Sequence, residues 1–194
     1  MYAIMRERTV IKVEEVKDTL RDRLIVMGAK EIADNGIAGF SLRKIAARCG
    51  TSCAAPYKHF QNKDELIKEI IRYITAQWEL LRDQIISIFE GDPKRMLLEV
   101  CIAYIRFWVT NPSYRKVLSA YNKETHTEEY SFADIDTLIV AYCRHIGDNE
   151  ENIKLRTLSI KAKIYGITTM REHSELSNGD EAFVLIRSAL ENEL

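Results

Sequence analysis

Residues 41–63 read SLRKIAARCGTSCAAPYKHFQNK and carry five basic side chains, Arg43, Lys44, Arg48, Lys58 and Lys63, with no acidic one. Tyr57 and His59 flank Lys58. Ammonium, guanidinium and phenol groups at this density suit one task above others, which is neutralising and hydrogen-bonding the phosphates of a polyanion. Between the basic residues lie Thr51, Ser52, Cys53 and Ala54. Their small side chains permit close backbone approach and apolar contact with thymine methyls. Covalent chemistry has no comparable support. The four histidines, His59, His126, His145 and His173, include no i, i+4 pair, and the chain has neither a G-x-S-x-G elbow nor a phosphate-binding loop. No catalytic residue and no cofactor is expected.

The cysteines, Cys49, Cys53, Cys101 and Cys143, form no C-x-x-C, and no histidine stands at zinc-finger spacing from the first two. No metal site is expected. Free thiols in a reducing compartment is one reading, and redox sensing by Cys53 is the other.

Positioning these groups requires a short helix, a tight turn and a second short helix. Ser41 stands at an N-cap position for a helix over residues 42–49, with Leu42, Ile45 and Ala46 inward. Gly50 supplies the turn. A second short helix over residues 52–59 follows, with Pro56 near enough to its start to be tolerated. This is the pattern of a helix-turn-helix that sits on DNA. Ahead of it, Leu20, Leu24, Met27 or Gly28, and Ile32 recur at helical spacing over residues 16–35, with Asn35-Gly36 as the stop. Residues 1–15 have no clear period; Arg6, Arg8 and Lys12 make either a basic arm or part of a frayed terminus.

Asn62 with Glu65 three residues on reads as a capping box for a long helix over residues 63–89. Gly91-Asp92-Pro93 stops that helix and starts another over residues 93–110, which Asn111-Pro112 ends. A short helix bearing Tyr114, Val117, Leu118 and Tyr121 comes next, then a polar loop over residues 122–131. Further helices are expected over residues 132–146, 150–173 and 180–192. No segment alternates with period two, so the fold class is all-α with about nine helices. Residues 1–62 are expected to form an N-terminal arm and DNA-binding head, and residues 63–194 a helical body.

Net charge is −1 over 194 residues, but residues 1–75 carry 14 basic and 10 acidic side chains against 14 and 19 in the remainder. A basic first third beside an acidic body places the polyanion-facing surface near the N-terminus. No apolar run reaches the roughly 18–20 residues that cross a bilayer, and the charged N-terminus lacks a secretory core, so no membrane partner and a cytoplasmic location are expected.

The run A-K-E-I-A-D-N-G-I-A-G-F-S-L-R-K-I-A-A-R-C-G-T-S-C-A-A-P-Y-K-H-F-Q-N-K-D-E-L-I, within residues 20–72, resembles the DNA-binding head of the tetracycline-repressor (TetR) family of bacterial transcription regulators. The A-A-P-Y-K-H-F variant is similar to one subgroup, as is Y-I-R-F-W-V-T-N-P-S-Y-R from Tyr104 to Arg115. Tyr165-Gly166 departs from the subgroup's later His-Gly pair. The resemblance implies that Tyr57 and Lys63 contact phosphates and that His59 either packs within the head or does the same. It also implies an isologous homodimer through the two C-terminal helices, bound to a pseudo-palindromic double-stranded operator. A small-molecule effector, apolar or aromatic, would release a repressor of this kind.

In this frame Thr51, Ser52, Cys53, Ala54 and Lys58 face base edges, and Ser41 and Arg43 start the helix that lies along the backbone. Tyr104, Trp108, Tyr114, Tyr121 and Tyr142 either line an effector cavity or form plain helix-packing core, with Cys101 and His126 as lesser candidates. The alternative function is a protein on the same scaffold whose body binds a protein partner.

Overall fold

A computed structural model describes residues 19–125, 133–176 and 179–194. The N-terminal arm, His126 and most of the expected 122–131 loop lie outside the described residues, and Asn122 to Thr125 continue the preceding helix. The described residues form eight α-helices and one 3₁₀ turn, without a strand. The helices are α1 (Leu20–Asn35), α2 (Leu42–Arg48), α3 (Lys63–Ile88), α4 (Pro93–Thr110), α5 (Pro112–Thr125), α6 (Ala133–His145), α7 (Glu150–Glu172) and α8 (Asp180–Glu191). The 3₁₀ turn is Ala55–Lys58. None of the helices described is long and apolar enough to cross a membrane.

Local chemistry sets most boundaries. Gly36 ends α1 at φ 70°, its N–H donating to Ile32 O, and Gly50 turns the chain after α2 at φ 65°; both angles suit glycine. Asn62 Oδ1 accepts from Glu65 N at 2.9 Å, and the Glu65 carboxylate reaches back to the Gln61 N–H, closing a capping box one residue wider than the usual form. Asp92 caps α4 by accepting from Arg95 N, with Pro93 in the first turn, and Asn149 caps α7 by accepting from Asn152 N. Ser41 has cap-like backbone angles but makes no side-chain cap bond.

The expected α-helix over residues 52–59 is not there. Pro56 has no N–H to give to Ser52 O, so the α register cannot begin. The amides of Ala55, Tyr57 and His59 bond three residues back instead, to Ser52, Ala54 and Pro56.

The chain divides into two compact units, Met1–Thr75 and Ala76–Leu194. In the first, Leu24, Ile32, Ile45, Phe60, Leu66 and Ile70 are essentially without solvent contact. Gly28, rather than Met27, completes the buried stripe of α1. A Cβ at Gly28 would come within 2.6 Å of Ile70 Cδ1, so the missing side chain lets α1 approach α3. Arg21 lies 5.5 Å over the Phe60 ring and pairs with Glu69.

In the second unit α4 packs against α5, α6, α7 and α8. Ten of its residues are buried, which is what a helix enclosed on most sides requires. Arg187 holds Glu99 with both contacts at 2.9 Å, joining α8 to α4. The Phe183 ring lies between the guanidiniums of Arg106 and Arg171, at 4.6 and 5.3 Å. The last residues are stapled to α6 and α7. Tyr142 OH donates to the Leu194 backbone oxygen, Arg156 to Glu193 O, and Ser159 Oγ to Glu193 Oε2 at 2.7 Å. Lys163 pairs with the Glu193 carboxylate.

Hydrogen bonds from Lys163 and Ser159 hold the Glu193 carboxyl below its ordinary value of about 4.5. A lowered folded pKa contributes stability that is complete above the ordinary value and is lost as pH falls through the folded one. Amide exchange at the end of α8 should therefore accelerate in acid below the carboxylate range relative to the rest of the unit. Glu193→Gln should raise the exchange at neutral pH and remove much of that difference.

Candidate nucleic-acid interface

The short-helix, turn and 3₁₀ segment leaves one side of the first unit polar. An open depression of about 280 Å³ is lined by Ser41, Leu42, Arg43, Tyr57, Gln61, Asn62 and Lys63. Three separate elements thus meet around it, namely the start of α2, the 3₁₀ turn and the start of α3. Because Ser41 makes no cap bond, the first amides of α2 stay available to an outside acceptor. Arg43 is exposed, and Tyr57 is 56% exposed. Lys63 donates to Ile37 O at 2.6 Å and lies 5.9 Å from the Phe40 ring centroid. An ammonium has three donors, so two remain after the bond to Ile37.

Ser52, Cys53 and Ala54 are exposed on the turn before Ala55, not on a helix, and Thr51 is half-buried. Ala55 and Pro56 are buried and anchor that turn to the core. Lys58 and His59 are exposed on the far side of the anchor, the His59 ring 6.3 Å from Phe60. Of the ten residues expected on the DNA face, Ser41, Arg43, Tyr57 and Lys63 surround one depression, while Thr51 to Ala54, Lys58 and His59 lie along the chain leading to and from it. Gln61 and Asn62 were not anticipated there; their place between Phe60 and the cap of α3 is the signal that marks them.

The remaining basic residues of α2 face elsewhere. Lys44 and Arg48, one helical turn apart, meet Glu31 of α1, whose side chain is 0% exposed. Arg48 Nη1 is 2.9 Å from Glu31 Oε2, and Lys44 Nζ is 3.7 Å from Oε1. Asn35 Nδ2 donates to Glu31 Oε1 at 2.9 Å, and Arg48 also lies 3.8 Å from Asp34.

The five aromatic candidates in the second unit separate. Tyr104, Trp108 and Tyr114 gather with Trp78 and Phe107 through mostly edge-on or tilted ring contacts with centroids 4.9–6.3 Å apart. Burial pushes the Tyr104 phenol up to about 12, with the neighbouring Trp108 indole and the charge of Arg115 acting to lower it. Tyr121 is half-buried on α5, and Tyr142 belongs to the C-terminal staple. The described residues include no cluster of three metal-ligating side chains.

Comparison with known proteins gives this arrangement a context. Residues 24–70 match the sequence model of the family described as bacterial regulatory proteins, tetR family. The chain is 28% identical over 126 residues to the "Probable acrEF/envCD operon repressor" of Escherichia coli (strain K12), across 64% of this chain and 56% of that one. It thus spans little more than half the length of that relative. In fold it is similar to a TetR family transcription regulator from Marinobacter aquaeolei VT8, with TM-score 0.66 and 16% identity over 89% of this chain and 94% of that one. It is also similar to NalD, the secondary repressor of the MexAB-OprM multidrug efflux pump in Pseudomonas aeruginosa, with TM-score 0.57 and 21% identity over 89% and 92%. Over residues 24–70 the first unit is thus tetR-like in sequence, and the helical arrangement is tetR-like in fold.

Thiol chemistry reports on the exposed turn directly. Cys53 is exposed, and burial raises the Cys49 thiol with Arg23 opposing it. Cys101 is pushed up to about 12 by burial, and Cys143 is also raised by burial. An aromatic disulfide reagent should therefore label one thiol rapidly in the folded protein, and Cys53→Ser should abolish that phase. Cys101 and Cys143 should react only after unfolding.

Proposed function

We propose that this chain is a tetR-family transcription regulator, of the repressor kind, that binds a pseudo-palindromic operator as a homodimer. The observation that carries the reading is the convergence of Ser41, Arg43, Tyr57 and Lys63 on one open depression within the segment that matches the family. A phosphate seated there would meet the first amides of α2, a guanidinium, a phenol and an ammonium, which is the donor set such a group needs. Ser52, Cys53 and Ala54, with Thr51 behind them and Lys58 beyond, then enter the major groove as a blunt turn. His59 stands at the flank with the phosphate-contacting set. The A-A-P-Y-K-H-F stretch fits the subgroup it resembles. Residues 1–62 act as the DNA-reading head, and residues 63–194 take the effector and make the dimer, in the cytoplasm.

Dimerisation through α7 and α8 is supported by their uncovered apolar residues. Leu155, Leu158 and Tyr165 on α7 and Val184 and Leu185 on α8 are each at least 60% exposed. Several large apolar side chains exposed on two helices in contact support an interaction surface there. A two-fold pair of these helices would present two heads to successive half-sites. A different protein partner could cover the same face, and the mass in solution separates the two readings.

The effector would be an apolar or aromatic small molecule meeting the Tyr104, Trp108 and Tyr114 cluster, and would act by favouring a dimer geometry mismatched to the operator. Tyr121 and Tyr142 are weaker candidates for that contact.

Three measurements test the reading. Arg43→Ala should weaken binding to every duplex alike and flatten the dependence of log binding constant on log salt by about one unit. Cys53→Arg should change which duplex is preferred in a selection from random sequences; a unchanged preference would place the reading surface elsewhere. The double variant Leu158→Glu/Leu185→Glu should convert the dimer to a monomer by light scattering while leaving the helix content intact. A monomeric wild type whose binding ignores salt would remove the proposal.

A further inference from the structure

Glu31 is the one fully buried carboxylate among the described residues, and the basic residues that meet it are the ones a count of positive charge would assign to DNA. On a helix, residues 44 and 48 fall on one face, while residue 43 is turned away from residue 44 by about 100°. The structure follows that division. Arg43 lines the open depression, whereas Lys44 and Arg48 face α1. Resting on the DNA-binding reading above, we infer that Glu31 is an internal counter-ion that withholds Arg48 and Lys44 from the phosphate backbone and so sets how many cations the head presents to DNA.

The energetics favour this direction. For Arg48 to reach a phosphate it must leave Glu31 Oε2, 2.9 Å away, and that strips a buried carboxylate of its nearest cation. A contact with a hydrated phosphate returns less than this costs. Lys44, at 3.7 Å, is held more loosely, and Asn35 supplies a neutral donor to the same carboxylate. The side chains of Arg48 and Lys44 are nevertheless 43% and 61% exposed, so both have room to swing outward once the carboxylate charge is gone. Glu31 is in this sense a positioning residue. It touches no nucleic acid and acts through the two cations it holds.

Binding of the full chain to a random-sequence duplex, followed by fluorescence anisotropy from about 50 to 200 mM potassium chloride, reads the number of engaged cations through the salt slope. Arg48→Ala should leave that slope where it is in the wild type. Glu31→Gln, which keeps the shape and removes the charge, should steepen it by about one to two units and tighten low-salt binding. Glu31→Gln/Arg48→Ala should return about one of those units. A role confined to packing would weaken binding without steepening the slope. Should Arg48→Ala unfold the head, as a thermal melt would reveal, Glu31→Gln/Arg48→Gln takes its place with the neutral pair preserved. An Arg48→Ala slope flatter by about one unit, or a Glu31→Gln slope equal to or shallower than wild type, overturns the inference. If the wild type binds no duplex at low salt, the DNA reading itself falls. If it binds and Arg43→Ala flattens the slope while Glu31→Gln does not change it, only the counter-ion role falls.

Discussion

A carboxylate withdrawn completely from water is the most expensive group in the first unit, and the geometry of α1 and α2 answers to it. Moving Glu31 inward is tolerable only where opposite charge and hydrogen bonds meet it, and Arg48, Lys44 and Asn35 do so from two adjacent elements. The pairing of Lys44 and Arg48 with Glu31 on α1 favours one rotation of α2 about its own axis. In that rotation, Leu42, Ile45 and Ala46 turn into the core and Arg43 turns out to the depression. An apolar pair at the same positions could supply packing, but would leave the rotation less strictly defined.

The second constraint comes from a missing atom. Pro56 lacks the amide hydrogen that would continue the α register, so the segment after Gly50 closes as a 3₁₀ turn seated on buried Ala55 and Pro56. The side chains ahead of it, Ser52, Cys53 and Ala54, are carried on a loop whose root is in the core. Lys63 adds a strap from the start of α3 to the carbonyl of Ile37. Together these root the surface in the core, with Lys63 both lining it and strapping it to the backbone.

Much of this was legible in the amino-acid order. The glycine at 36, the Asp92-Pro93 pair, and Asn62 at its cap mark helix ends because each satisfies or removes orphan backbone groups locally. The tetR-like run within residues 20–72 was equally visible, and residues 24–70 match that family's sequence model. What could not be read locally depends on distant partners. The five positive charges between residues 41 and 63 look alike in sequence, yet two meet Glu31 ten or more residues upstream and one bonds Ile37. Tyr142 reads as one more aromatic on a helix face, but its hydroxyl meets Leu194, 52 residues away. The failed helix over residues 52–59 is different in kind: the proline was seen, but its consequence was underestimated. A helix of two turns has too few hydrogen bonds to absorb the loss of one near its start.

The rooted turn has a consequence for how such a protein changes over generations. Ser52, Cys53 and Ala54 are exposed, so replacing their side chains leaves the melting behaviour of the unit nearly untouched. If this turn reads DNA as proposed, folding and sequence preference are nearly independent traits, separated at Ala55. On that reading, a lineage carrying this scaffold could drift through alternative recognition sequences by single substitutions, each arriving in an already folded protein. Duplicated copies can diverge in target while sharing one architecture.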